Sequence, residues 1–249
     1  MFHLDGRLAL VTGGGTGLGL GICRALTEAG ARLVITGRRE GVLKQACAEL
    51  GKDVEYIRHD VAELSTIPAL VHETEARFGP LDILVNNAGN HLKKPAVDTS
   101  DAEFASILQT HLCGTFALSR EWGRRMIARK RGSIVMIASM ASLFGIPDVA
   151  AYSAAKSALV GLTRALAVEF SPFGVRVNAI APGWFDTDLS RKAFQGDPGR
   201  KAKVLARTPM GTLGETIDVG YAAVYLSSAA ARFVTGVVLP VDGGASIGF

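Results

Sequence analysis

The sequence predicts a single α/β domain, and three observations predict it. Strand-like and helix-like segments alternate from end to end. A glycine-rich turn joins the first strand to the first helix. The 249 residues are 48% hydrophobic, enough to bury one full core, and no repeat, low-complexity tract or Pro/Ser-rich linker divides them.

Residues 7–12 (RLALVT) form a short β-type run, followed by Gly13-Gly14-Gly15-Thr16-Gly17-Leu18-Gly19. A helical pattern then sets Leu18, Ile22, Ala25 and Leu26 on one side. Such a turn lets backbone N–H groups approach a pyrophosphate at the positive end of the helix dipole. The spacing is G-x-x-x-G-x-G, not the commoner G-x-G-x-x-G, and it makes Gly13, Gly15, Thr16, Gly17, Leu18 and Gly19 candidate cofactor contacts. A second strand at 32–36 ends in Gly37-Arg38-Arg39, with no acid before Glu40. At this place in a dinucleotide fold an acid accepts from the adenosine 2′-hydroxyl, whereas an arginine pairs with a 2′-phosphate. Arg38 and Arg39 therefore favour NADP(H) and leave NAD(H) open, the plainer reading being arginines that face solvent at a strand end.

The third strand, 54–59, runs into Asp60 and Val61, placed to meet an adenine ring. The fourth, 81–85, runs into Asn86-Asn87-Ala88-Gly89, whose small side chains and amides suit close packing against a cofactor. Asn86 also reads as a plain turn residue. Residues 103–129 carry Phe104, Ile107, Leu108, Leu112, Phe116 and Leu118 at helical spacing, one long amphipathic helix. It closes on the densest basic run, 124–131 (RRMIARKR), which is either a solvated helix end, where cations are favoured, or a phosphate-binding patch.

The apolar run 134–138 predicts a buried strand, and it places the hydroxyl of Ser139 at a strand's carboxyl end. Thirteen residues later Tyr152 and Lys156, four apart, share one face of a helix that continues through Leu159, Leu162, Leu166 and Val168 until Pro172. A phenol with a pKa near about 10 is a poor base at neutral pH, and a neighbouring ammonium would lower that value by charge attraction. Ser139 would then hold a substrate oxygen beside the phenol. Taken alone, the same spacing also opens an ordinary helix with a packed tyrosine and a solvated lysine.

After the strand 175–180, residues 184–209 are long for an unstructured connection and read as a lid over a pocket. They hold Arg191, Lys192, Arg200, Lys201, Lys203 and Arg207 against Asp186, Asp188 and Asp197. With His91, Lys93 and Lys94 nearby in sequence to the Asn-Asn-Ala-Gly motif, that excess suits an anionic substrate, solvated surface charge being the alternative.

Twenty-seven basic against 23 acidic residues give a net charge of +4, too mild to imply nucleic acid, and the basic residues are not interleaved with aromatic platforms. Cys23, Cys47 and Cys113 lack C-x-x-C spacing, which argues for reduced thiols and against a zinc site; no metal is expected. The chain enters its first strand without a charged leader and holds no run of eighteen apolar residues, so a cytoplasmic protein without a membrane partner is expected.

Five of these pieces in order, Thr12-Gly13-x-x-x-Gly17-x-Gly19, Asn86-Asn87-Ala88-Gly89, Ser139 with Tyr152-x-x-x-Lys156, Pro182-Gly183 and Asp242-Gly243-Gly244, resemble the short-chain dehydrogenase/reductase family over essentially the whole chain. The resemblance implies one doubly wound Rossmann-type domain with a seven-stranded parallel sheet, assembled as a homotetramer. It implies an oxidoreductase interconverting a secondary alcohol and a ketone, with Tyr152 as acid/base, Lys156 lowering its pKa and binding the nicotinamide ribose, and Ser139 orienting the substrate. Asn87, Ala88 and Gly89 would line the cofactor, and Pro182 and Gly183 would shape its nicotinamide end. The family often has an asparagine on the long helix that holds a relay water; here the segment HLCGTF has His111, either a relay imidazole or a space-filler. The pattern from Arg207 onward resembles both 3-oxoacyl-carrier-protein reductases and gluconate 5-dehydrogenase-like sugar-acid enzymes, and the residues His91 to Lys94 with Ala181-Pro182-Gly183-Trp184-Phe185 incline to the second. A non-catalytic cofactor-binding regulator is the alternative of another class.

Overall fold

The computed structural model describes residues 1–195 and 198–248; Asp197, counted above among the acids of the lid, lies outside them. Seven parallel strands form one sheet in the order β3-β2-β1-β4-β5-β6-β7. They are β1 (Leu8–Thr12), β2 (Arg32–Gly37), β3 (Val54–Arg58), β4 (Ile83–Asn86), β5 (Gly132–Ile137), β6 (Val175–Pro182) and β7 (Val238–Val241). Both faces of the sheet are covered, and the alternation of side chains along a strand divides the core in two. Leu8 and Leu10 of β1 and Ile134 and Met136 of β5 pack on one side. Their neighbours Ala9, Val11, Val135 and Ile137 pack on the other.

The helices between strands are α1 (Gly17–Glu28), α2 (Glu40–Leu50), α3 (Ile67–Phe78), α4 (Asp101–Leu108), α5 (Gly114–Ala128) and α6 (Ala150–Phe170). Beyond β6 come α7 (Asp188–Gln195), α8 (Pro198–Arg207) and α9 (Thr216–Ser227). The expected lid is thus not a bare connection but carries two short helices. Among the described residues no helix is long and apolar enough to cross a membrane.

One expectation is corrected. Residues 103–129 are not a single helix: α4 and α5 are separated by a π-helical turn, Gln109–Cys113, that carries His111. A π turn fits one extra residue into the helix and recurs at functional sites. Here the backbone of the turn is anchored from outside, with Gln109 Nε2 donating to the Ala62 carbonyl at 2.9 Å. The basic run at the end of α5 is neither fully solvated nor an open phosphate patch. Arg125 and Arg129 pair with Glu75 of α3 at 3.5 and 3.1 Å, and Arg131 pairs with Asp82. These arginines tie the end of α5 to α3 and to the entry of β4.

Candidate active site

The strand order reverses direction between β1 and β4, and the carboxyl ends of those two strands flank the crevice where such sheets receive a ligand. Thr12, the last residue of β1, joins the two sides: its Oγ1 accepts from the Asn87 and Ala88 N–H groups at 3.0 and 2.9 Å. Asn87 Nδ2 answers by donating to the Thr12 and Gly13 carbonyls at 2.9 and 3.2 Å. Asn86 is no plain turn residue; it ends β4, buried, with Nδ2 donating to Ser119 Oγ at 3.0 Å. Thr12 opens the glycine-rich motif in the sequence but was given no role there, since a threonine ending an apolar strand carries no signal of its own.

The glycine-rich turn has the shape an anionic cofactor needs. Gly13 sits at φ +67°, and a Cβ on Gly19 would stand 2.1 Å from the Gly13 carbonyl, so the start of α1 presses directly on the turn. Thr16 caps α1 without a side-chain hydrogen bond, and no acid occupies the first turn, so the N–H groups there are left for a ligand. Gly15 lies against Val42, and Leu18 is half-buried against the second core. Arg38 is exposed and stands 3.9 Å from Asp60 Oδ2, while Asp60 Oδ1 accepts from the Ala62 N–H at 3.0 Å. Arg39, exposed, is the N-cap residue of α2. Val61 is buried in the core, its side chain packed among the strand and helix residues of the first face. On the far side, Pro182 ends β6 in register with Val241, and the Gly183 N–H donates to the Val241 carbonyl at 2.9 Å. These residues could hold a dinucleotide: the free N–H groups at the start of α1 would take its phosphates, and Arg38 would lie toward its adenosine end.

Ser139, Tyr152 and Lys156 come together at the same edge of the sheet. Ser139 follows β5, is buried, and accepts from the Ala141 N–H at 3.1 Å. Tyr152 is half-buried in the first turn of α6, and the Ser139 hydroxyl is close enough to act on its phenol, favouring the ionised form. Lys156, one turn on, is buried with Nζ donating to the Ile137 carbonyl at 2.5 Å and lying 5.6 Å from the Tyr152 ring centre.

The electrostatics depart from expectation. Burial pushes the phenol of Tyr152 above its usual pKa, with the Ser139 hydrogen bond pulling the other way. Burial also brings the Lys156 ammonium down to about 7. The expected lowering of the tyrosine by the lysine is not seen, because both groups are desolvated and a lysine that is half neutral at pH 7 attracts a phenolate weakly. In this state the phenol holds its proton.

Two imidazoles meet the tyrosine edge-on. The rings of His91 and His111 each stand 5.3 Å from that of Tyr152, at 75° and 90°. His111 Nε2 lies 2.7 Å from the Asn90 carbonyl and 3.2 Å from the Asn90 N–H, and Gly89 permits the approach, since a Cβ there would stand 2.3 Å from His111 Cε1. Burial, then the charge of Lys156, holds the His111 pKa down to about 3, partly offset by the Asn90 hydrogen bond. The ring is neutral, and with Nε2–H donating to Asn90 its Nδ1 is a buried acceptor with no hydrogen-bond partner among the described residues. His91 was expected as a member of a basic cluster. Burial, with Arg200 and Lys93 nearby, lowers its pKa instead, and it stands against the phenol as a neutral ring. Lys94 leaves the cluster too, its ammonium on Glu103 at 2.9 and 3.0 Å.

Comparison with known proteins gives the family. A family model described as Enoyl-(Acyl carrier protein) reductase, of the short-chain dehydrogenase type, matches residues 13–246. The chain belongs to the short-chain dehydrogenase/reductase family. It is an oxidoreductase of that family acting on CH–OH groups. Galactitol 2-dehydrogenase (L-tagatose-forming) of Cereibacter sphaeroides is 42% identical over 99% of this chain and 98% of its own. A 2-dehydro-3-deoxy-D-gluconate 5-dehydrogenase of Pseudoalteromonas atlantica is 39% identical over 98% and 97%. A solved structure of gluconate 5-dehydrogenase from Burkholderia cenocepacia, in complex with NADP and tartrate, superposes with a TM-score of 0.94 at 37% identity, covering 100% of this chain and 98% of that one.

Proposed function

We propose that this short-chain dehydrogenase/reductase interconverts a ketone and a secondary alcohol on a sugar acid, with NADP(H) preferred over NAD(H). The observation that carries it is the meeting of Ser139, Tyr152 and Lys156 at the carboxyl edge of the sheet, beside an anion-ready α1 N-terminus. When bound, the nicotinamide supplies or accepts the hydride. In the reducing direction Tyr152, whose raised pKa keeps its proton, donates it to the carbonyl oxygen. Ser139 gives that oxygen a hydrogen bond and fixes it beside the phenol. Lys156, held by the Ile137 carbonyl, holds the ribose and restores positive charge near the phenol when it is protonated. The buried Nδ1 of His111 accepts from a water that continues the proton path, in the role the family's asparagine often takes. Arg38, exposed and only loosely paired, receives a 2′-phosphate.

Sugar and sugar-acid dehydrogenases among the similar proteins support the substrate class, and relatives with NADP bound support the cofactor. A 3-oxoacyl-thioester reductase is the second reading, supported by 3-oxoacyl-[acyl-carrier-protein] reductases among the similar proteins. A cytoplasmic homotetramer is the assembly we expect, with mass from light scattering as its check.

The test is a panel of NADPH and NADH oxidation assays with ketogluconates and a 3-oxoacyl thioester. Ketogluconate turnover preferring NADPH is the expected outcome; thioester turnover alone transfers the chain to the acyl branch. In Tyr152→Phe, turnover falls by about 100-fold or more while cofactor binding persists. Undiminished turnover by that variant would remove the tyrosine from its role.

A further inference from the structure

We infer that Arg207, seated on the ring of Phe144, is the residue that reads the carboxylate of the substrate. The inference rests on the sugar-acid reading above and names the side chain that would make the enzyme prefer an acid to the matching uncharged polyol or ketose.

Arg207 ends α8, and its guanidinium carbon lies 4.1 Å from the centre of the Phe144 ring. Phe144 belongs to the segment between Ser139 and Tyr152. Its N–H donates to the Met140 carbonyl at 3.1 Å, in the short turn that Ser139 opens. The stacked pair therefore links the lid to the catalytic segment. The lid end is well fixed at this point. Val204 and Thr208 are buried, Thr208 Oγ1 donates to the Val204 carbonyl at 2.9 Å, and Pro209 lies so close to Gly244 and Gly248 that a Cβ on either would stand 3.0 or 2.8 Å from it.

A guanidinium stacked on a ring commits its face and keeps its N–H donors, which all lie in its own plane. Those donors suit the two oxygens of a carboxylate. Among the described residues no carboxylate takes them. Two other cations that the sequence offered are differently engaged: Arg191 is bound by Asp186 and Asp188 at 2.8 and 2.7 Å, and Lys94 by Glu103. Arg200 and Lys93 act on His91, against the Tyr152 ring, and so add positive potential beside the phenol. On this inference a carboxylate of a substrate held at Ser139 is received by the fork that Phe144, in the turn Ser139 opens, holds in place.

The experiment measures binding of gluconate and of uncharged glucitol to the NADP-loaded enzyme by calorimetry, in wild type, Arg207→Gln and Arg207→Lys. It adds KM and kcat for ketogluconate and for an uncharged ketohexose. Wild type is expected to bind gluconate at least about tenfold more tightly than glucitol, Arg207→Gln to lose that margin, and Arg207→Lys to recover part of it. The loss appears in KM for the acid, with the ketohexose constants unchanged. No preference for the anion in wild type, or a preference that survives Arg207→Gln, overturns the assignment. An Arg207-dependent preference in an enzyme that turns over no sugar acid keeps the carboxylate subsite and overturns the proposed reaction instead.

Discussion

Lys156 shows how the site works against the fold at the scale of one residue. Its folded pKa of about 7 lies below the unfolded lysine value of about 10.4, so the unfolded chain binds more protons between those two values. Stability contributed at this position therefore rises with pH from about 7 to about 10, and the penalty for burying the charge is complete below 7. Lys156→Met should be more stable than wild type at pH 6, with the difference in urea midpoint shrinking toward pH 10. A constant difference would mean that Lys156 does not titrate with folding. His111 gives the complementary limb. With a folded pKa of about 3 against about 6.5 unfolded, it costs stability as pH falls through that interval, because only the unfolded chain accepts the proton. In His111→Asn the acid limb between pH 6.5 and 3 should be shallower in thermal melts. Ser139, Tyr152 and Lys156 were legible in the sequence because the glycine-rich turn and Asn86-Asn87-Ala88-Gly89 precede them in order; their spacing alone also fits an ordinary helix. The direction of the tyrosine shift was not, since desolvation depends on what packs around α6.

At the scale of elements, the strands were readable as apolar runs but their ends were not. The run expected at 81–85 begins at Ile83, because Asp82 before it serves Arg7, Arg131 and the Leu8 N–H as an acceptor. The π turn at Gln109–Cys113 was invisible, as its residues keep helical periodicity on either side while one residue shifts toward Asn90. The glycine-rich turn was legible, and its strictest position can be named: Gly19, where an added methyl meets the Gly13 carbonyl and Asn87 Nδ2 at 2.1 and 2.6 Å. Both obstacles are held, one by the turn and the other by Thr12 and Gly13, so neither can retreat. Gly19→Ala is expected to lose about 1–3 kcal/mol of stability in urea titration and to bind cofactor poorly even where it folds. Wild-type cofactor affinity in that variant would show that the turn does not cradle the pyrophosphate.

For the whole molecule, the seven-stranded parallel sheet came from the family's likeness and not from periodicity, and the order of its strands was not read at all, since strands buried on both faces carry no signature of their neighbours. That order sets β1 beside β4, bringing Thr12 to Asn87 across 75 positions of sequence, and so makes one ligand cleft out of two distant motifs. A ligand bridging them should stabilise the entire fold. At a cofactor concentration about 100 times its dissociation constant, linkage adds about 2.7 kcal/mol, which in a chain of this size raises the melting temperature by roughly 5–11 °C. If Arg38 reads the 2′-phosphate, NADPH should give a larger rise than NADH at equal concentration in wild type, and Arg38→Ala should bring the two together. The comparison needs no substrate, so it separates cofactor choice from every question about the reaction. Equal rises in wild type would place the arginine at a solvated strand end and return NAD(H) to equal standing.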